Sequence, residues 1–315
     1  MLWLILIAAL GIAAAICIYS FHTCFYSGKT KRLDPYGPIH GDQGRAMRAQ
    51  IYQTTRHMDD AAFEPVTIRS FDGTALYGRL YRSREGAPVE IMFHGYRSMA
   101  LRDGGGAFAL AQKMGINLLV PDQRAHGNSG GNVISFGVRE RKDCLCWAEY
   151  VQARFGAETP IILSGVSMGA TTVIMASALP LPQNVCCIVA DCPYSSPGEI
   201  IRKVCKDRKI PARAAYPFIR FSARVLGGFP LEQCDAITAA GQSGIPILLI
   251  HGEADGFVPC EMSRQIYATG NENIRLETFP DADHGMSYVV DPARYEAVVS
   301  NFLRSIPELK TAFPE

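Results

Sequence analysis

Net charge is nearly absent from this chain of 315 residues: 31 basic side chains face 30 acidic ones. That balance leaves no electrostatic footprint for nucleic acid. No internal repeat or low-complexity tract is present, so solenoid and fibrous architectures drop out. The ten cysteines, at 17, 24, 144, 146, 186, 187, 192, 205, 234 and 260, contain no C-x-x-C pair. Zinc-ribbon and thioredoxin-like sites therefore lack their spacing. Irregular spacing in a large chain also argues against a disulfide framework and for a reducing compartment. Cys186 and Cys187 stand side by side in an apolar run, where neighbours point to opposite faces as small buried hydrophobes.

Charge is missing altogether from residues 2–19, LWLILIAALGIAAAICIY. A helix of about 18–20 such residues can cross a bilayer. Only Met1 precedes the run, so it lacks the basic region that opens a signal peptide. Lys29, Lys31 and Arg32 follow it closely. The positive-inside rule then places the rest of the chain in the cytoplasm, as a single-pass membrane protein. A secretory signal is the alternative.

Residues 1–26 are thus expected to be an anchor, and 27–64 a stalk and entry helix, with the helical stretch running up to His57. Residues 65–315 are expected to form one α/β domain, because strand and helix patterns alternate from there on. VTIRS and ALYGRLY flank the turn FDGT and predict a hairpin. VEIMFHG, INLLVPD, PIILSG, NVCCIVAD, IPILLIHG and NIRLETFP predict further strands. Continuous apolar strands are buried on both faces, which predicts a mostly parallel sheet with helices on each side. The alternation lapses at about 193–240, where Pro193, Pro197, Pro211, Pro217 and Pro230 separate helical pieces. That length exceeds a bare loop and predicts a small helical cap.

The chemistry centres on Gly165-Val166-Ser167-Met168-Gly169, between a buried strand and a helix. A serine at such a turn is strained, and its hydroxyl stands above the sheet edge. The pattern alone is weak; its placement strengthens it. A serine nucleophile needs a base, and the base an orienting acid. His284, in PDADHGMS, follows the strand IRLETF. Asp255, in HGEADGFVP, follows the strand PILLI. Ligand sites of open α/β sheets lie on that same strand-end edge. Ser167, Asp255 and His284 are therefore the expected triad, with Asp191 the runner-up acid. The backbone N–H groups of Met168 and Tyr96 are the expected oxyanion donors. His94 and His251 read as structural, Asp122 as a turn cap with His126 beneath the site, and Asp283 as a solvated loop residue. The basic cluster Arg202, Lys203, Lys206, Arg208 and Lys209 reads as a solvated face of the cap.

The motifs HGYRS, PDQRAHGNSGG, GVSMG, HGEADGFVP and DADHG, across residues 65–305, resemble the α/β-hydrolase superfamily. With the N-terminal span, they look most like bacterial membrane-anchored hydrolases of the serine-aminopeptidase-like or esterase-like kind. The resemblance implies an α/β-hydrolase fold and a triad on Ser167, Asp255 and His284. It does not imply a substrate. The expected activity is hydrolysis of a small-molecule or lipid-like ester through an acyl-enzyme, with neither metal nor organic cofactor. An aminopeptidase-like activity would instead need a cap carboxylate (Glu199, Asp207 or Glu232) to hold the substrate amine. A catalytically silent binding module is the third reading.

Overall fold

Strands built from uninterrupted apolar residues need cover on both faces, and the chain supplies it. A computed structural model describes residues 1–28, 34–39, 41–310 and 312–313. Helix α1 (Leu2–Cys24) leads to α2 (Asp42–Ala46) and α3 (Arg48–Asp59), followed by β1 (Glu64–Arg69), β2 (Ala75–Tyr81) and β3 (Val89–Phe93). Then come α4 (Ala100–Asp103), α5 (Gly105–Met114), β4 (Asn117–Pro121), α6 (Glu140–Phe155), β5 (Ile161–Val166), α7 (Met168–Ala176) and β6 (Val185–Asp191). Next are α8 (Pro197–Asp207), α9 (Ala212–Val225) and α10 (Ala236–Gly241). The chain closes with β7 (Ile247–Gly252), α11 (Glu261–Tyr267), β8 (Ile274–Phe279), α12 (Ser287–Val290) and α13 (Pro292–Ser305).

The eight strands form one sheet in the order β1-β2-β4-β3-β5-β6-β7-β8. β1 and β2 make the expected hairpin, and β2 runs antiparallel to β4; every later pairing is parallel. Every residue of β3, β4, β6 and β7 is buried. Side chains alternate between faces. Met92, Ile162 and Val189 meet α3, α5 and α13 on one face. Ile91, Leu163 and Ile188 meet α6, α7 and α10 on the other. This is the mostly parallel, doubly covered sheet that the resemblance implies.

Within the segment read as stalk and entry helix, α3 packs into the domain. Ile51, Thr55 and Met58 are buried along one face of α3, and Ile51 and Met58 join the core under α5. Their i, i+4, i+7 spacing forms a narrow stripe in an otherwise polar helix. The cap helices α8 and α9 pack on each other over their own apolar cluster, which includes Ile200, Ile201, Tyr216 and Ile219. Helix α10 lies outside that cluster and packs on α7 beneath the sheet.

Helix α1 has a mean hydropathy of 2.6 over its best window and is long enough to cross a membrane. Its C-terminal half packs along α9 through the stripe Ala13, Cys17, Phe21 and Cys24. Residues 2–12 stand free, a length of about 16 Å at 1.5 Å per residue, or half of a bilayer's hydrocarbon core. Just past the helix, Phe25 is fully buried between the rings of Phe136 and Phe229, with centroids 5.7 and 5.4 Å away. Lys29, Lys31 and Arg32, which underlie the expected orientation, lie outside the described residues. All ten cysteines are free thiols.

Candidate active site

Ser167 sits between the end of β5 and the start of α7, with φ 56° and ψ −114°. A positive φ of this kind is strained for a non-glycine residue. Its amide N–H donates to the Asp191 carbonyl at 2.8 Å, which ties the turn to β6. The two flanking glycines are needed for space: a Cβ on Gly169 would lie 1.9 Å from the Phe93 carbonyl oxygen, and one on Gly165 would lie 2.4 Å from Gly169.

The loops after β7 and β8 bring Asp255 and His284 to the same sheet edge. The Ser167 hydroxyl lies 3.0 Å from His284 Nε2, and His284 Nδ1 lies 2.7 Å from Asp255 Oδ2. With Nδ1–H donating to the carboxylate, Nε2 is left as the acceptor for the serine proton. Asp255 Oδ1 accepts the N–H groups of Phe257 and Val258 at 2.8 and 2.7 Å. Burial alone would raise the Asp255 pKa. Hydrogen bonds from His251 and His284, and their charge, outweigh it and hold the carboxyl at about 2. His251 is buried, with Nδ1 against Ser263 Oγ and Nε2–H shared between the Val258 carbonyl at 2.9 Å and Asp255 Oδ2 at 3.3 Å.

His284 Nδ1 is paired with Asp255 and not with Asp191, the alternative acid, whose Oδ1 accepts from the Ser287 hydroxyl at 3.5 Å. Burial pushes its carboxyl up to about 6, although His251 and His284 pull the other way. Asp283 is more than a solvated neighbour. Its Oδ1 accepts the N–H of Gly256 and of His284, at 3.2 and 2.8 Å, so it joins the two loops that carry Asp255 and His284. Gln43 clamps the same loop: its side chain accepts the Asp283 N–H and donates to the Asp281 carbonyl.

The loop Gly95-Tyr96-Arg97 lies beside the serine; a Cβ on Gly95 would sit 3.5 Å from the Ser167 Cβ. Among the described residues, the Tyr96 and Met168 amide N–H groups have no acceptor. Met168 is the first residue of α7, where N–H groups have no intrahelical partner. Asp103 shapes this loop by accepting the Gly95 N–H and the Ser98 hydroxyl, both at 2.7 Å. Sequence reasoning passes over Asp103, because it ends a short helix, α4, whose fold back onto the preceding loop leaves no pattern in the sequence. His94 and His126 stack edge to face at 4.8 Å. His126 Nε2 accepts the N–H of Arg97, which is itself held at φ 52°. Burial keeps His126 neutral, with its pKa lowered to about 3. Asp122 caps its turn by accepting the Asn128 N–H.

The end of α1 reaches the same loop. The Tyr96 hydroxyl donates to the Cys24 carbonyl, and the Arg97 guanidinium donates to the carbonyls of Thr23 and Tyr26. A cation on the last carbonyls of a helix is favourable. The cap carboxylates are all occupied: Glu199 by Arg202, Asp207 by Lys203 and Glu232 by Arg220.

Cys192, Asp255 and His284 place donor atoms within 4.8 Å of one another. Both His284 nitrogens are already used by Ser167 and Asp255, and burial holds Cys192 as a thiol. That donor set does not suit a metal ion, which needs a deprotonated thiolate and a free imidazole nitrogen.

Known proteins share this arrangement of chain. The profile of the prolyl oligopeptidase family matches residues 107–306, nearly two thirds of the sequence. The protein YqkD of Bacillus subtilis is 23% identical over 254 residues, covering 80% of this chain and 82% of its own. The esterase Pf2001 of Pyrococcus furiosus superposes with a TM-score of 0.64 at 23% identity, covering 85% of this chain and 96% of its own. Mouse α/β-hydrolase domain-containing protein 10 superposes at 0.56, with 18% identity, over 77% of this chain and 99% of its own. The chain has the α/β-hydrolase fold and belongs to the prolyl oligopeptidase family.

Proposed function

We propose that the protein is a serine hydrolase that cleaves carboxylic esters through an acyl-enzyme. One observation carries this reading: the continuous hydrogen-bonded relay from Ser167 through His284 to Asp255. His284 takes the hydroxyl proton as Ser167 Oγ bonds to the ester carbonyl carbon. The Tyr96 and Met168 N–H groups stabilise the resulting oxyanion. Collapse breaks the bond to the leaving alcohol, and His284 returns the proton to it. Water then repeats the sequence, with His284 as base, and releases the acid. Asp255 holds the imidazole and balances its transient charge.

An ester is favoured over a peptide N-terminus because the carboxylates available to hold a substrate amine in the cap are each paired with a base of the cap itself. Turnover of aryl esters is expected to exceed that of aminoacyl-arylamides by roughly tenfold or more in kcat/KM. The reverse ranking would favour the aminopeptidase reading.

The same proposal keeps α1 on the mature protein as a membrane anchor, with the hydrolase domain on the cytoplasmic side. Removal of the segment through Phe25 would empty an aromatic site under the cap, and losing one buried Phe side chain costs about 3–5 kcal/mol. The intact mass of protein taken from membranes should therefore include α1, and the domain should resist protease added outside intact cells. A mass lacking α1 would support a cleaved signal.

A further inference from the structure

Ser167 and His284 stand at the mouth of a cavity of about 310 Å³ that runs far past them. It descends between the sheet and helices α3, α5 and α13. At about 30 Å³ per water-sized group, it holds roughly ten such groups. Ile51, Leu110, Val189 and Leu303 make its walls apolar. Its sheet wall is not. Glu90 on β3, Ser164 on β5 and Asp191 on β6 all line it.

The register orders these groups by depth. Val166 pairs with Asp191, beside Ser167, whereas the Glu90 carboxyl is bonded by Ser164, three positions before Ser167. At about 3.3 Å per residue, that level is roughly 10 Å below the serine along the strand. Ser164 Oγ donates to Glu90 Oε1. Glu90 Oε2 has no hydrogen-bond partner among the described residues, although Glu90 is only 9% exposed and that exposure lies in the cavity. A carboxyl group deep in a largely apolar shaft is costly unless something pairs with it.

We infer that the cavity accepts the acyl chain of the substrate and that Glu90, with Ser164, recognises an uncharged hydrogen-bonding group, a hydroxyl, at the far end of that chain. The inference rests on the acyl-enzyme reading of Ser167. A plain alkyl tail that filled the shaft would shut Glu90 Oε2 off from any partner, a loss of about tenfold to a hundredfold. An ammonium tail would require two desolvated charges in an apolar shaft. Burial favours the protonated acid at Glu90, and its pKa is pushed up to about 7 against the pull of Ser164. The neutral acid both donates to and accepts from a hydroxyl.

The test uses the full-length protein and aryl esters of about four to ten carbons in the acyl chain, with either a methyl or a hydroxyl terminus. For wild type, kcat/KM should be alike for the two termini at short lengths and favour the hydroxyl by about tenfold or more at the longest lengths. Glu90→Leu should remove or reverse that preference and leave short-ester turnover within about twofold of wild type. Glu90→Gln, which keeps donor and acceptor, should retain it. Methyl-terminated chains preferred at every length, amine-terminated chains preferred to hydroxyl-terminated ones, or a hydroxyl preference untouched in Glu90→Leu would each overturn the inference. If Glu90→Leu fails to fold, loss of the preference in Ser164→Ala stands in its place, and an unchanged preference there overturns the inference. Failure of wild type to hydrolyse the short esters would overturn the acyl-enzyme reading itself, and the inference with it.

Discussion

Ser167→Ala is expected to lower kcat on aryl esters by at least about 10⁴-fold and to abolish labelling by a fluorophosphonate probe. The substitution removes one oxygen whose recorded side-chain partner is His284. Alanine at φ 56° carries the same backbone strain as serine, so the turn and the sheet should survive. The melting temperature should stay within a few degrees of wild type, since the change removes one hydrogen bond of the buried Ser167 hydroxyl, and such a bond contributes about 0.5–1.5 kcal/mol. A residual rate above that in water should persist, because the Tyr96 and Met168 N–H groups remain in place. Burial raises the Cys192 thiol pKa and keeps it protonated, so it offers no substitute nucleophile nearby. Mass spectrometry of the labelled protein and steady-state kinetics check both halves. Undiminished labelling of the variant would move the nucleophile elsewhere; a wild type inert to the probe would return the binding-module reading.

The sheet was legible because its strands are short, continuous apolar runs between turn residues, a pattern that needs only local sequence. Sheet-edge placement of Ser167, Asp255 and His284 followed from the same runs, since each residue lies just past one. What escaped was set by contacts that the apolar pattern does not report. α3 reads as polar, and only burial of Ile51, Thr55 and Met58 reveals its inner stripe. Asp103 looks like a turn residue until α4 folds it back onto Gly95 and Ser98, eight and five residues before it. Asp283 looks solvated until Gly256 reaches it. Glu90 did leave a local signal: a carboxylate in the middle of the otherwise apolar VEIMF. Ser164 in PIILSG left another. Two polar residues on one face of adjacent buried strands point to a cavity or a functional group, because a close-packed core has no use for an unpaired carboxyl.

Asp255→Asn should lower kcat by about 10⁴-fold, as expected when an orienting acid is lost from a Ser-His-Asp arrangement. With its oxygen still accepting the Phe257 and Val258 N–H groups, the amide would present its own N–H to His284 Nδ1, which favours the tautomer with a proton on Nε2, and that tautomer cannot take the serine proton. Asp191→Asn is the comparison: it keeps the Asp255–His284 bond, and its kcat should stay within about tenfold of wild type. Asp255 also links activity to stability. Its pKa is lowered from 3.8 to about 2 in the folded chain. The folded state thus binds that proton more weakly than the unfolded state. The stabilisation is fully present above about pH 4 and is lost as pH falls through about 2. Its size is about 2 kcal/mol. The asparagine variant has no such proton to take up. Its unfolding free energy should therefore lie below that of wild type at pH 7, and the two should converge as pH approaches 2. Urea titrations at pH 7, 4 and 3 measure the gap, and a gap that widens toward acid would contradict the ion-pairing role assigned to this carboxylate.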